Sequence, residues 1–340
     1  MTSSGPFLEG TSGPYRDVVD YILGITHEIW ESRKVDKIDT YYAAQTPVYA
    51  LGGLLTGTAT IVKNTWDTLA AFPDRLLLGE AVVWSREGRG RFYSSHRILS
   101  PMTNHGDSAF GTATGRAVLV RTIADCVIEN GVITLEWLVR DNYSLVQQLG
   151  FDPIAVACKQ AETPLTADHA AWLGTEQQRL KSLGRGKIEK QLTFSATDTV
   201  TFAQAVLRNT WQTGNDATYS AHYASYAVLY DSAPVASGRG LIAVHYAELR
   251  RALNVEALTV DHVCSNGGAD GGIQVAVRWT LTARHIGPIW GMPASGAEIL
   301  ILGVSHWKIV AGRIAAECTI FDRLAVLTQI QRAQSGPASR

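Results

Sequence analysis

Two short acidic words, Glu136-Trp-Leu-Val-Arg-Asp141 and Glu317-Cys-Thr-Ile-Phe-Asp322, hold the residue types best suited to chemistry in this sequence. In strand alternation Asp322 shares a face with Ile320, Cys318 and Ala316, and Asp141 follows Val139, Trp137 and Leu135. So dry a setting raises a carboxylate's pKa, and a raised carboxylate can take a proton from carbon, for which a solvated one is too weak near neutrality. The enolate that results needs a donor where negative charge develops. His306 stands sixteen residues before Asp322 (322 − 306) and Asp125 sixteen before Asp141 (141 − 125), so a hairpin can bring each near its partner. His306 with Asp322 reads as an acid–base pair, dried by Trp307 and Trp279; Asp125 with Asp141 would be two like charges that push one pKa up. The second half is therefore expected to be the better catalyst. A structural reading competes: strand-end aspartates cap backbone donors or meet arginines such as Arg140 or Arg323, and His306 suits a hydrogen-bonded core position.

Around these groups the sequence offers residues for binding. His105 and His285 open two Gly-rich loops, His105 to Arg116 and His285 to Gly296, and suit hydrogen bonds that hold those loops together more than direct chemistry. Both loops are expected at pocket mouths. Arg97 and Arg278 can pair a substrate carboxylate or a neighbouring glutamate. Tyr49, Trp137, Tyr230, Trp279 and Trp307 suit a pocket for a flat, greasy ligand, or plain core. His96, His105 and Asp107 match no standard metal-ligand spacing, and no phosphate loop, nucleophile elbow or dinucleotide fingerprint occurs, so no metal or organic cofactor is expected.

The elements that must position these residues come twice. The two acidic words lie 181 residues apart (317 − 136), and the same offset places Trp30 on Trp211 and Asn130-Gly131 on Ala311-Gly312. Repeats of this length can each be a complete domain. We expect a first domain at 14–151, a linker with a helix at 152–196, and a second domain at 197–332. In each half amphipathic helices come first: 16–34 and 60–72, then 202–211 and 240–253. Strands follow: 81–84, 91–99, 116–128 and 132–139, then 259–264, 273–282, 298–309 and 313–321. Helices before strands imply α+β with an antiparallel sheet. The spacing predicts a linking helix from Thr163 to Leu183, with Thr163 as N-cap and Gly184-Arg-Gly186 as its end. The tails 1–14 and 333–340 are rich in Ser, Gly and Pro and are expected to be disordered.

Composition excludes some functions. A chain of 340 residues, 46% hydrophobic and 18% charged, has apolar material for two ordinary cores. A net charge of −1 leaves no footprint for nucleic acid or an anionic membrane. The start lacks the pattern of a secretion signal and no apolar run is long enough for a membrane span, so a cytoplasmic location is expected. Cys126, Cys158, Cys264 and Cys318 are too scattered for a zinc site or a disulfide framework.

At His105-Gly-Asp-Ser-Ala-Phe-Gly111-Thr-Ala-Thr-Gly115-Arg116, then Glu136-Trp137 and Asp141, then Leu145-Val-Gln-Gln-Leu-Gly150, the chain resembles the SnoaL-like polyketide cyclases, also labelled ester cyclases. His285 to Gly296, Glu317, Asp322 and Leu327-Thr-Gln-Ile-Gln331 repeat the pattern less completely. The resemblance implies two tandem cone-shaped α+β barrels of the nuclear-transport-factor-2-like class, each with helices packed on a strongly curved, mostly antiparallel sheet. It also implies a cofactor-independent intramolecular aldol cyclisation or a related isomerisation, with Asp141 or Asp322 as acid and base. The substrate would be a small hydrophobic or polyketide-like molecule. Two halves of this kind are expected to pack through their sheets as an internal pseudo-dimer, with a homodimer as a further option. The alternatives are a ligand-binding or scaffold protein with a drifted duplicate pocket, or a hydrolase or lyase on the same fold.

Overall fold

A computed structural model describes residues 15–184, 193–267 and 271–335. The chain divides into two compact units, residues 1–151 and 152–340. In the first, helix α1 (Val18–Thr26) buries Val18, Tyr21, Ile22 and Ile25, the apolar stripe of its sequence. It runs on as a π-helical turn, His27–Glu31, which carries Trp30. After the short α2 (Ile38–Tyr41) come β1 (Pro47–Ala50), β2 (Gly53–Thr56) and α3 (Thr58–Ala71). Four long strands follow: β3 (Leu78–Gly88), β4 (Arg91–Thr103), β5 (Ala117–Glu129) and β6 (Val132–Arg140). The sheet order is β2-β1-β6-β5-β4-β3, antiparallel except where β1 lies parallel to β6 and sets Val48 opposite Glu136. The core gathers α1, α2 and α3 against strand residues such as Phe92, Cys126, Ile128 and Ile133.

Helices α4 (Asn142–Leu149), α5 (Pro153–Glu162) and α6 (Ala167–Leu183) come next. The α6 N-cap is Thr166, whose side chain accepts from His169 N, whereas Thr163 ends α5. The expected start at Thr163 is thus three residues early. The residue before Pro164 is pushed out of helical geometry, and Thr163 is extended at ψ 122°. Residues 185 and 186 of the expected helix end lie outside the described residues. Both helices belong to the second unit: Arg332 donates to Thr163 O at 2.9 Å, and Arg179 of α6 meets Asp261 at 3.0 Å.

The second unit repeats the first. It contains α7 (Thr199–Arg208), a π-helical turn Asn209–Thr213 with Trp211, and α8 (Asp216–His222). After these come β7 (Tyr223–Tyr230), β8 (Pro234–Ser237), α9 (Arg239–Ala252), β9 (Leu253–Gly267), β10 (Ile273–His285), β11 (Glu298–Val310), β12 (Arg313–Phe321) and α10 (Arg323–Ser335). Its sheet order, β8-β7-β12-β11-β10-β9, matches that of the first unit, including one parallel pair, β7 with β12. The fold of each unit is α+β on a mixed, mostly antiparallel six-stranded sheet. Helix α10 carries residues 333–335, so the second tail begins later than its composition implies; residues 1–14 and 336–340 lie outside the described residues.

Two details explain motif residues that chemistry does not. Gln148 of α4 accepts from Leu119 N at 2.8 Å and donates to Leu119 O at 3.0 Å; Gln329 of α10 does the same for Leu300, at 2.9 Å and 2.9 Å. In each unit this amide substitutes for a strand partner and locks the last helix to the sheet. The β5–β6 and β11–β12 turns have two central residues each, all with positive φ: Asn130 (51°) and Gly131 (79°), Ala311 (47°) and Gly312 (74°). This is the hairpin geometry that suits strand twist. Asparagine and glycine accept it, whereas alanine is strained by a Cβ close to the carbonyl oxygen. Ala311→Asn is therefore expected to stabilise the chain by about 1 kcal/mol, read as a shift in the urea midpoint at unchanged slope.

Candidate active site in the first unit

The face of β6 that bears Glu136, Leu138 and Arg140 lines a cavity in the first unit. A narrow chamber of about 80 Å³ is walled by these residues together with Trp30, Tyr42, Thr65, Ser94, His96, Ile98 and Cys126. A larger chamber of about 520 Å³ lies against Phe72, Ser100, Met102, Phe110, Val120, Asn142 and Leu145. Asn64, Arg75, Thr122 and Arg140 line both. The larger volume falls in the range of small-molecule pockets. Asp107, Ser108, Ala109 and Phe110 of the Gly-rich loop line it, as expected for a loop at a pocket mouth.

The chamber walls hold polar groups that the fold has not satisfied. His96 (3% exposed), Ser94 (0%) and Ser100 (2%) are buried, yet His96 Nε2, Ser94 Oγ, Ser100 Oγ and Arg75 Nε have no hydrogen-bond partner among the described residues. Buried polar atoms are nearly always paired, so such atoms on a cavity wall are where a ligand or water would bond. Burial pulls the His96 pKa down to about 4, leaving a neutral imidazole that can both donate and accept. Glu136 accepts from the Tyr42 hydroxyl at 2.8 Å. Burial raises its pKa, opposed by the Tyr42 hydrogen bond and by the charge of Arg140. Burial, with the Glu136 charge adding, drives the Tyr42 hydroxyl far up, so it stays a donor.

At the matching positions of the second unit, 181 residues on, the interior is filled. Ile98, Cys126, Arg140 and Thr65 become Trp279, Trp307, Phe321 and Tyr246. The register confirms the match on the sheet, since Cys126 faces Glu136 and Trp307 faces Glu317. Trp211, Trp279 and Phe321 pack ring against ring at centroid distances of 5.2 to 6.3 Å. The Trp279 ring lies over Gly303, where a Cβ would come within 2.2 Å of it; the first unit has Thr122 there. Trp211 Nε1 and Trp307 Nε1 are buried without a hydrogen-bond partner among the described residues, whereas other polar groups here bond one another. Tyr223 and Tyr246 donate to Glu317 at 2.6 and 2.7 Å, Thr319 at 2.6 Å, and Trp279 Nε1 reaches Ser305 at 3.0 Å.

The residues chosen from sequence take varied places. Asp141 and Asp322 are N-caps: Asp141 accepts from Ser144 N at 3.2 Å and Asp322 from Ala325 N at 3.0 Å, while the Asp141 amide reaches Arg121 O. Neither Asp141 nor Asp125 lines either chamber. Asp125 accepts from the Tyr93 and Ser95 hydroxyls. The register does not bring the sixteen-residue pairs together. With a two-residue turn, Asp125 sits opposite Trp137 and His306 opposite Cys318, four positions short of each aspartate, or roughly 13 Å of strand.

Arg97 pairs with Glu80 at 3.0 Å, and Arg278 is buried within the field of Asp261. Trp137 stacks on Tyr49 with centroids 5.7 Å apart, and Tyr230 lies opposite Cys318. His105 is exposed, whereas His285 is buried and ties its loop to Ser295 at 2.8 Å. Among the described residues no three of His, Cys, Asp and Glu are placed to hold one metal ion, and no helix is long and apolar enough to cross a membrane. Sequence reasoning passed over Glu136, Tyr42, Arg75, Ser94 and Arg140 as chemistry. The available signal was a glutamate in the middle of an apolar strand, invariant between the two halves.

Residues 191–330 match the family model of the SnoaL-like polyketide cyclases. Among solved structures, TsrD from Streptomyces laurentii is similar at 18% identity over 41% of this chain and 98% of its own, with a TM-score of 0.36. A SnoaL-like polyketide cyclase from Agrobacterium tumefaciens is similar at 19% identity over 39% of this chain and 97% of its own, with a TM-score of 0.33. Among curated proteins no match is found.

His96 yields a pH prediction. Its folded pKa of about 4 lies below the ordinary 6.5, so its contribution is fully present above pH 6.5. As pH falls from 6.5 towards 4 the unfolded chain takes up a proton that the folded one refuses, and stability drops by on the order of 3 kcal/mol. His96→Gln is expected to lose less stability than the wild type between pH 7 and pH 4, measured by urea midpoints at each pH.

Proposed function

We propose that the first unit is the working half, an acid–base enzyme for a small organic molecule of the aldol-cyclisation or isomerisation type. The observation that carries this reading is the contrast of interiors: chambers lined by polar groups such as His96, Glu136 and Arg75 in one unit, and Trp279, Trp307, Tyr246 and Phe321 at the matching positions of the other. The family match supports the class of chemistry, although it falls on the second half of the chain.

In this reading the larger chamber holds the body of the substrate and the narrow one its reacting end. Glu136, as carboxylate, takes the proton from carbon; neutral His96 donates to the enolate oxygen, and the Arg140 charge lowers its energy. The enolate carbon attacks a second carbonyl of the same molecule, and the proton held by Glu136 returns to the new oxygen, so nothing is consumed. Tyr42 holds the carboxyl group in place through its hydrogen bond. The resemblance implies Asp141 or Asp322 as the base instead, whereas in this reading both serve as helix caps. A binding-only protein is the second reading, favoured by the capping roles of both aspartates.

Exchange of the acidic C–H of an aromatic β-keto ester in D₂O, followed by NMR, separates these readings. The wild type is expected to accelerate exchange over buffer, and Glu136→Gln to lose roughly 10²- to 10⁴-fold of that acceleration. Asp141→Asn and Asp322→Asn should change it little, since asparagine caps a helix as well as aspartate. Loss in Asp141→Asn or Asp322→Asn with Glu136→Gln unaffected would move the base to that aspartate. Binding of the ester without any acceleration would leave the binding reading standing.

A further inference from the structure

Among the described residues Arg75 has no acid to answer it. The residue follows α3 in the segment leading to β3, and its side chain lines both chambers. Among the described residues its Nε is buried without a hydrogen-bond partner, and the charge that acts on it is a like one, Arg140, also on the wall of both chambers. Elsewhere in this unit the arginines near acids are paired, as Arg97 and Arg121 are with Glu80 at 3.0 and 2.8 Å. Glu136 feels the charge of Arg140 and bonds Tyr42. Asp107, at the exposed mouth of the larger chamber, accepts from Ala113 N. A half-buried cation beside a second half-buried cation is costly unless an anion joins them, and a guanidinium fork matches a carboxylate.

The second unit lacks the device. At the matching positions Glu256 replaces Arg75 and Phe321 replaces Arg140, and Glu256 pairs with Arg284 at 3.2 Å. The cation pair is thus confined to the first unit, where it lines both chambers. The remaining wall of the larger chamber is apolar, with Ala71, Phe72, Met102, Phe110, Val120 and Leu145.

We infer that the first unit takes a small molecule bearing a carboxylate on an apolar body, with the carboxylate seated at Arg75 and Arg140 and the body in the larger chamber. This rests on the reading of the first unit as the ligand-binding half and names the class of ligand. The carboxylate is a binding handle, distinct from the carbon that loses its proton.

The test is calorimetric titration of the full chain with 2-naphthoate and with its neutral analogue 2-naphthamide, on the wild type, Arg75→Met and Arg75→Gln. The wild type is expected to bind the carboxylate about tenfold or more tightly than the amide, the effect of a hydrogen bond to a charged group. Both variants should lose that preference while keeping the affinity for the amide. Without ligand, Arg75→Met should melt no lower than the wild type, since it removes an unanswered charge. Equal binding of the two probes by the wild type, or a preference that survives in either variant, would overturn the carboxylate site while leaving the cavity as a ligand site. If neither probe binds, the ligand-binding reading of the first unit falls with it.

Discussion

Everything in both units turns on one buried carboxylate. Glu136 on β6 and Glu317 on β12 sit at 7% and 1% exposure inside their sheets, where an uncompensated charge would be prohibitive. Each is held by a tyrosine from the turn of chain that closes the helical layer, Tyr42 and Tyr223, at 2.8 and 2.6 Å. The pairing fixes the parallel strand beside it, because Val48 lies opposite Glu136 and Leu229 opposite Glu317. The two units then answer the same constraint differently. The second completes the carboxylate with Tyr246 and Thr319 and fills the remaining space with rings; the first leaves one tyrosine and a cavity. A satisfied network rigidifies a core, and a partly satisfied one leaves bonding capacity for a ligand.

This division suits a duplicated chain. Aromatic residues at Ile98, Cys126, Thr65 and Arg140 positions close an interior without changing the strand register, so the second unit keeps the sheet order while losing the space. The first has smaller or polar residues at those positions and so has room for its chambers at some cost in packing.

Much of the fold was legible because it follows periodicity. The long strands and the helices α1, α3, α7 and α9 announce themselves through alternation and apolar stripes, and the repeat offset confirms each by the other. The strands β1, β2, β7 and β8 were not: β1, β2 and β8 have four residues each, too few to show alternation, and β7 follows α8 without a break. The π-helical turns that carry Trp30 and Trp211 depend on tertiary contacts for the same reason.

The site was harder to read. Alternation gives two faces to β6, and the apolar row ending in Asp141 looked like the interior, whereas the cavity lies on the face of Glu136 and Arg140. A one-residue choice of face exchanges one set of side chains for the other. The aspartates were recognisable as strand-end carboxylates; their N-cap role follows once α4 and α10 are seen to start at the next residue. Arg75 carries no sequence signal, since an arginine in a polar connection ordinarily faces water.

The central claim is that the interiors differ in kind, one open to a ligand and one filled. A crystal structure of the full chain grown with 2-naphthoate at saturating concentration tests it most directly. The account predicts ligand density in the first unit, bounded by Phe72, Met102 and Leu145, with Trp279, Trp307 and Phe321 of the second unit packed as they are without ligand. Ligand density among those three rings, with the first unit empty, would contradict it.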